Sequence, residues 1–302
     1  MKQHVLWIYF LLLLLPVASN AAPMGIVYTK QFREEAAVKP KNGAPGPQFK
    51  TKLLYHGGPV ISQIKAYAVM WGPQVDSATK SGIGAMITAI VNSSYWDMLQ
   101  QYQTNIKSVD GRAGTGQQIT RGSFAGVLSI HPANTKTTID DTEIGAELEH
   151  QIDLGALPKP DQNTVYLTYF PPGMTITLQG SKSCAVFCGY HHNYTSNSYG
   201  ILYYSVQPDL GGSCAFGCGF GTSKFENVTA VTSHEITEAA TDPAVSNTPG
   251  QTAWNTADGK EIGDLCSSTE VRLNMKDGSS FLLQSAFDNR TASCPAGPFQ
   301  SL

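Results

Sequence analysis

Thr232-Ser233-His234-Glu235-Ile236-Thr237-Glu238-Ala239-Ala240-Thr241-Asp242-Pro243 sets one imidazole and three carboxylates among small and aliphatic residues. The pattern predicts a helix over about 228–241, stopped by Pro243, which has no N–H to continue the ladder. At 100° per residue His234 and Glu238 share one face, with Glu235 beside them. The order resembles H-E-x-x-H, in which two His hold zinc and the intervening Glu is the general base, but here Glu238 replaces the second His. Val228, Val231, Ile236, Ala239 and Ala240 cover most of the circumference, so the helix is expected to be buried. Burying His234, Glu235 and Glu238 unpaired costs several kcal/mol or forces neutralisation, and a bound cation removes that cost. A salt-bridge or N-cap network with His234 as a core histidine is the commoner explanation of so short a pattern.

Two further stretches favour the cation. Glu261-Ile262-Gly263-Asp264-Leu265-Cys266 offers Glu261 and Asp264 downstream, and zinc hydrolases complete their ligand sets with such carboxylates. The bland alternative is a surface turn after Asp258-Gly259. Cys188-Gly189-Tyr190-His191-His192 offers His191, although Asn193-Tyr194-Thr195 is a glycosylation sequon and suggests an exposed loop. Asp242 is either a ligand or a helix-end turn residue, and His56 beside Gly57-Gly58 reads as structural. The Gly-rich stretch 111–116 lacks the strand and helix that nucleotide binding needs, and no G-x-S-x-G elbow is present.

The start of the chain points to export. Met1-Lys2-Gln3-His4, the apolar run Val5–Leu15, and Ser19 and Ala21 at −3 and −1 predict a secretory signal peptide over 1–21. Nothing later is apolar enough to span a bilayer, so no transmembrane segment is expected in the mature chain. A net charge of −3 with pI near 6.1 argues against nucleic acid or an anionic membrane as obligatory partner. All six cysteines (184, 188, 214, 218, 266, 294) lie in the second half, and an even number behind a signal peptide reads as disulfides. The x3 spacings suggest Cys184–Cys188 and Cys214–Cys218 as small staples, leaving Cys266–Cys294, although fifteen pairings exist on paper.

Residues 22–52 are Pro-, Lys- and Gly-rich and read as a flexible lead-in, with a single domain over 53–302. Strands are expected at 64–71, 123–130, 164–170 and 199–206, with short ones at 271–275 and 281–284. Helical periodicity covers 83–102, with a break at Asn92-Ser93-Ser94. A second helix runs from the acidic Asp140-Asp141-Thr142-Glu143 to about Ile152. Together they predict a mixed α/β (α+β) fold: helices packed on one mixed sheet, zincin-like, with a loop-rich, disulfide-stapled C-terminal part.

Leu54-Tyr55-His56-Gly57-Gly58-Pro59-Val60, the Ala66–Trp71 strand, Phe187–His191 and the Cys266/Cys294 tail resemble the phosphate-induced, exordium-type secreted proteins. His234–Pro243 and Gly259–Cys266 are similar to the pattern of the bacterial branch, over a likeness covering about 53–295. The resemblance implies a secreted protein, extracellular or periplasmic, and a metallohydrolase of peptidase-like type. On that reading His234 and Glu238 bind the metal, Glu261, Asp264 or His191 adds a ligand, and Glu235 is the catalytic base. Zinc is the expected ion; the His-to-Glu change makes Ca²⁺ or Mn²⁺ plausible too. The expected substrate is a peptide or a cell-surface or cell-wall component. The alternative is a non-catalytic extracellular binding protein that holds a structural ion, or only a polar network, at this helix.

Overall fold

A computed structural model describes residues 26–31, 52–212, 214–245 and 251–302. The expected signal peptide and most of the expected lead-in lie outside the described residues. The strands are β1 (Ile26–Tyr28), β2 (Leu54–Tyr55), β3 (Lys65–Trp71), β4 (Ser123–Ile130), β5 (Thr138–Asp140), β6 (Thr164–Tyr169) and β7 (Thr175–Leu178). They continue with β8 (Ser181–Lys182), β9 (Phe187–Ser196), β10 (Gly200–Gln207), β11 (Trp254–Asn255), β12 (Glu270–Asn274), β13 (Ser280–Gln284) and β14 (Phe299–Gln300). The α-helices are α1 (Ser77–Ile90), α2 (Ser94–Asp97), α3 (Asp141–Asp153), α4 (Cys214–Cys218) and α5 (Lys224–Thr241).

The mixed α/β class is as expected. Six strands form the main sheet in the order β1-β9-β10-β6-β3-β4. β4, β3, β6 and β10 run parallel, while β9 is antiparallel to β10 and β1 antiparallel to β9. Parallel neighbours need crossovers, and α1 and α3 supply two of them. β3 shows why the sheet is buried on both faces. Ala66, Ala68 and Met70 join one core with α1 and α5, while Tyr67, Val69 and Trp71 join the other with α3.

The helix starts follow local chemistry. Asp76 caps α1 by accepting from Thr79 N at 3.1 Å, and Ser93 caps α2 after the break at Asn92. At α3, Asp140 and Glu143 form a capping box, which explains the run of acids there. Ser223 caps α5, and Asp242 closes it through Asp242 N to Glu238 O at 2.7 Å.

Three disulfides are formed. Cys266–Cys294 is as expected, but the other two are Cys184–Cys214 and Cys188–Cys218, not the x3 pairs. Cys184 lies in the turn before β9 and Cys188 within β9, and Cys214 and Cys218 lie one turn apart on α4, so the two bonds tie the start of β9 to the helix. A bond within either x3 pair would leave that packing untied. Two other expectations change. Ile26–Tyr28, within the presumed lead-in, is the edge strand of the main sheet. The His191–Asn193 stretch is not an exposed loop but part of β9, with His191 opposite Ser205 and Asn193 opposite Tyr203. Among the described residues no helix is long and apolar enough to cross a membrane.

Candidate metal centre

α5 is buried along its whole length from Asn227 to Thr241. Its hydroxyls turn inward on the helix: Thr237 Oγ1 donates to Ser233 O at 2.9 Å and Thr241 Oγ1 to Thr237 O at 2.9 Å. Ser233 and Thr229 also dock β13: Gln284 N donates to Ser233 Oγ at 2.9 Å, and Thr229 Oγ1 to Leu282 O at 2.6 Å. The helix is thus clamped between the main sheet and the C-terminal hairpin β12–β13.

Three elements converge on its polar face. β9 brings His191, α5 brings His234, Glu235, Glu238 and, at its end, Asp242, and the turn before β12 brings Glu261 and Asp264. All five expected metal residues and the expected base Glu235 therefore meet, joined by Asp242. His191, Glu238 and Glu261 can offer ligand atoms all within 4.8 Å of one another, as can His234, Glu238 and Asp264. Glu238 belongs to both sets. His191, Glu235, Glu238 and Glu261 are 0% exposed and His234 and Asp242 1%, whereas Asp264 is half-buried, so the centre is buried with its Asp264 side at the rim.

Hydrogen bonds assign the imidazole protons. His191 Nε2 lies 3.1 Å from Asp242 O, and a carbonyl only accepts, so Nε2 carries the hydrogen. In the neutral ring this leaves the Nδ1 lone pair free, 3.5 Å from both Glu235 Oε2 and Glu238 Oε2. For His234 the logic reverses. Gln284 Nε2 donates to Gly263 O at 2.8 Å, and its other hydrogen faces His234 Nδ1, also at 2.8 Å. In the neutral ring Nδ1 therefore accepts and Nε2 holds the proton, 2.9 Å from Glu238 Oε1 but out of line for a hydrogen bond. His191 Nδ1 is thus the ready imidazole ligand, and His234 becomes one only if Gln284 turns over.

Glu238 is held from its other side by Gly263 N and Asp264 N, which donate to Oε1 at 3.1 and 3.2 Å. Gly263 is required at this point: a Cβ there would stand 2.6 Å from His234 Nδ1, although its backbone angles are ordinary. Neither Gly263 nor Gln284 stood out in the sequence; the glycine two residues after Glu261 was the one available signal.

Much of the cluster's polar surface has no partner. Among the described residues, His191 Nδ1, His234 Nε2, both oxygens of Glu235 and of Glu261, Glu238 Oε2 and Asp242 Oδ2 are buried without a hydrogen bond. Burial pushes Glu235 up to about 7 against the pull of His191 and His234, with Glu238 adding to the rise. Burial likewise pushes Asp242 up to about 7 and Glu261 well above the carboxylate range. Glu238 goes the other way despite burial, held at about 2 by the two imidazoles. Burial opposes a charged His234, yet Glu238 and its neighbours hold it up at about 9. Such unmatched donor atoms fit a cation: in a native core buried polar atoms are otherwise paired. No known protein-family pattern matches the chain, and no curated protein matches it significantly.

Proposed function

We propose that this chain is an exported metal-dependent hydrolase of peptide bonds, holding a divalent cation between His191, Glu238 and Glu261. The observation that carries this reading is the set of buried, unpartnered carboxylate oxygens around His191, those of Glu235 and Glu238 facing its free Nδ1 and Glu261 Oε1 3.5 Å from its Nε2. Three donors from three elements are the arrangement expected of a site with open positions for substrate. One imidazole among carboxylates suits Mn²⁺ or Ca²⁺ as well as Zn²⁺. A cation bound there acts as a Lewis acid toward a carbonyl and lowers the pKa of water.

The chain's own groups supply the rest. Glu235, with both oxygens uncommitted, takes the proton of the attacking water as the water oxygen bonds to the substrate carbonyl carbon. The same carboxyl then delivers that proton to the leaving amine as the C–N bond breaks. Asp242 O fixes the ring of His191, and the Gly263 and Asp264 amides fix Glu238. The likeness of 54–60 and 234–243 to exordium-type proteins, the signal-like residues 1–21 and the three disulfides support the export and family parts of the proposal.

Metal analysis of the purified protein, followed by Glu235→Gln and His191→Ala, tests it. Glu235→Gln is expected to keep about one metal per chain and lose cleavage of a mixed peptide library, while His191→Ala loses the metal. A metal-free native protein, or a Glu235→Gln variant that cleaves normally, would sink it. A second reading, a structural ion in a non-catalytic extracellular protein, is favoured by the full burial of His191, Glu238 and Glu261. It predicts retained metal with no hydrolysis in any form of the chain.

A further inference from the structure

One wall of the centre is built by a segment remote in sequence from the rest of it. β1 is three residues long and pairs with β9 from far away in the chain: Ile26 lies opposite Tyr190, Val27 opposite Gly189 and Tyr28 opposite Phe187. Thr29 N extends the pairing to Val186 O at 2.9 Å. The register shifts between Val27 and Tyr28, a bulge that skips Cys188. The pairing partner matters because Gly189 packs against the helix. A Cβ there would meet Val231 Cγ1 at 2.6 Å and Glu235 Oε1 at 3.3 Å. The edge of β9 therefore runs directly past Glu235, two residues before His191. Tyr28 lies close enough to the cluster for the charges of Asp264 and Glu238 to add to the effect of burial in raising its hydroxyl pKa. Val27, 1% exposed, packs into the core that holds α5 and covers this side of the site, while Ile26, 2% exposed, anchors the strand in the core on the opposite face of the sheet.

A bare strand edge is a template for any extended backbone, because its N–H and C=O groups need partners. The rest of the sheet is complete without β1. We propose that the β9 edge at Phe187–Tyr190 is a binding site for an extended peptide, and that Ile26–Tyr28 occupies it as an intramolecular competitor. The inference deepens the hydrolase reading and rests on it for its consequence: the strand lies where a peptide substrate would. The favoured peptide carries aliphatic side chains in place of Ile26 and Val27 and an aromatic in place of Tyr28. Acidic side chains are disfavoured at the last two positions, since Glu235 lies beside Gly189 opposite Val27 and the charges of Asp264 and Glu238 reach Tyr28.

The test uses the full chain. Ile26→Asp with Val27→Asp puts two charges on buried aliphatic positions and dislodges the strand. A fluorescent peptide of sequence Gly-Ile-Val-Tyr-Thr is then titrated by anisotropy, with its Pro-for-Val version as control. The variant is expected to bind at least about ten-fold more tightly than wild type and to prefer the Val peptide. Hydrogen exchange at those amides of Phe187–Tyr190 that face β1 rather than β10 should speed up in the variant and slow again with peptide. A variant with wild-type circular dichroism that binds the peptide no better than wild type overturns the proposal. If the variant does not fold, a protease site inserted between residues 32 and 51 of the otherwise wild-type chain is cut after folding. A gain in peptide binding then supports the proposal, and unchanged binding overturns it. Peptide bound but never cleaved leaves the strand site standing and counts against the hydrolase alone. Wild type cleaving as fast as the variant overturns the competitor role and leaves the hydrolase.

Discussion

Stripping the cation should reverse the pH dependence of stability. Without it, burial raises Glu235 and Asp242 to about 7 and Glu261 further. A carboxyl with a raised folded pKa binds more protons folded than unfolded. Its stabilisation is present at low pH and is lost as pH rises from about 4 to about 7. His234, held up at about 9, works in the same direction: its contribution is present below about 6.5 and lost as pH climbs through 9. Glu238, held at about 2, is fully ionised above pH 5 and adds no slope there. Raising Glu235 alone from 4.5 to about 7 is worth about 3 kcal/mol. Because these groups share one field their effects do not add, so about 3 kcal/mol is the expected loss for the metal-free protein between pH 4.5 and 7.5. That is a large part of a typical stability of about 5–15 kcal/mol. With the cation present the sign inverts, since ligands must be deprotonated to bind. Ligand at 1,000 times its Kd adds about 4 kcal/mol at neutral pH. Guanidinium unfolding at pH 5.0 and 7.0, with chelator-treated and metal-saturated protein, checks both slopes. A metal-free protein equally stable at the two pH values, or one indifferent to metal at pH 7, would refute the reasoning.

Three further outcomes are expected. Gly263→Ala drives a methyl into the His234 ring and should cost about 1–3 kcal/mol with weakened metal affinity, read by thermal melts and metal titration. Gln284→Leu removes the donor that sets the His234 tautomer and strands Gly263 O; ¹⁵N-histidine spectra should show His234 changing tautomer while His191 does not. Removing both Cys184–Cys214 and Cys188–Cys218 should cost about 3–4 kcal/mol, as a loop of about 30 residues is freed, whereas removing either alone costs far less because the other keeps that loop closed. Denaturant curves of the three Cys→Ser forms decide it.

Much of this fold was readable where one side-chain period ruled. β3 and β4 fall where expected, and the α1–α2 break sits at Asn92-Ser93-Ser94, where Ser93 caps the next helix. The helix carrying His234 begins four residues earlier than expected, at Lys224, because the Ser223 cap and Phe225, packed against the core, carry a first turn that is otherwise polar. β9 was hidden for a physical reason. Its polar residues satisfy partners inside the fold, His191 with Asp242 O and His192 near Asp141, so the strand lacks the apolar alternation that marks one. β1 was hidden by its neighbours: three apolar residues beside a Pro- and Lys-rich run give no period to read. The carboxylates of the centre were legible by type, but which imidazole is free to ligate depends on Asp242 O and Gln284, contacts that no spacing encodes. The disulfide exchange is of the same kind, since pairing is set by how α4 lies against the start of β9.

The candidate ligand atoms come from β9, from α5 and from the turn after Gly259, so no single element of the chain contains the centre. A partly folded chain carries the same His and Glu side chains without their arrangement, and a cation held by one or two of them exchanges freely. On the proposed metal reading, tight retention of an ion would certify that sheet, helix and the turn before β12 have all docked, making metal content of a preparation a direct count of correctly finished molecules.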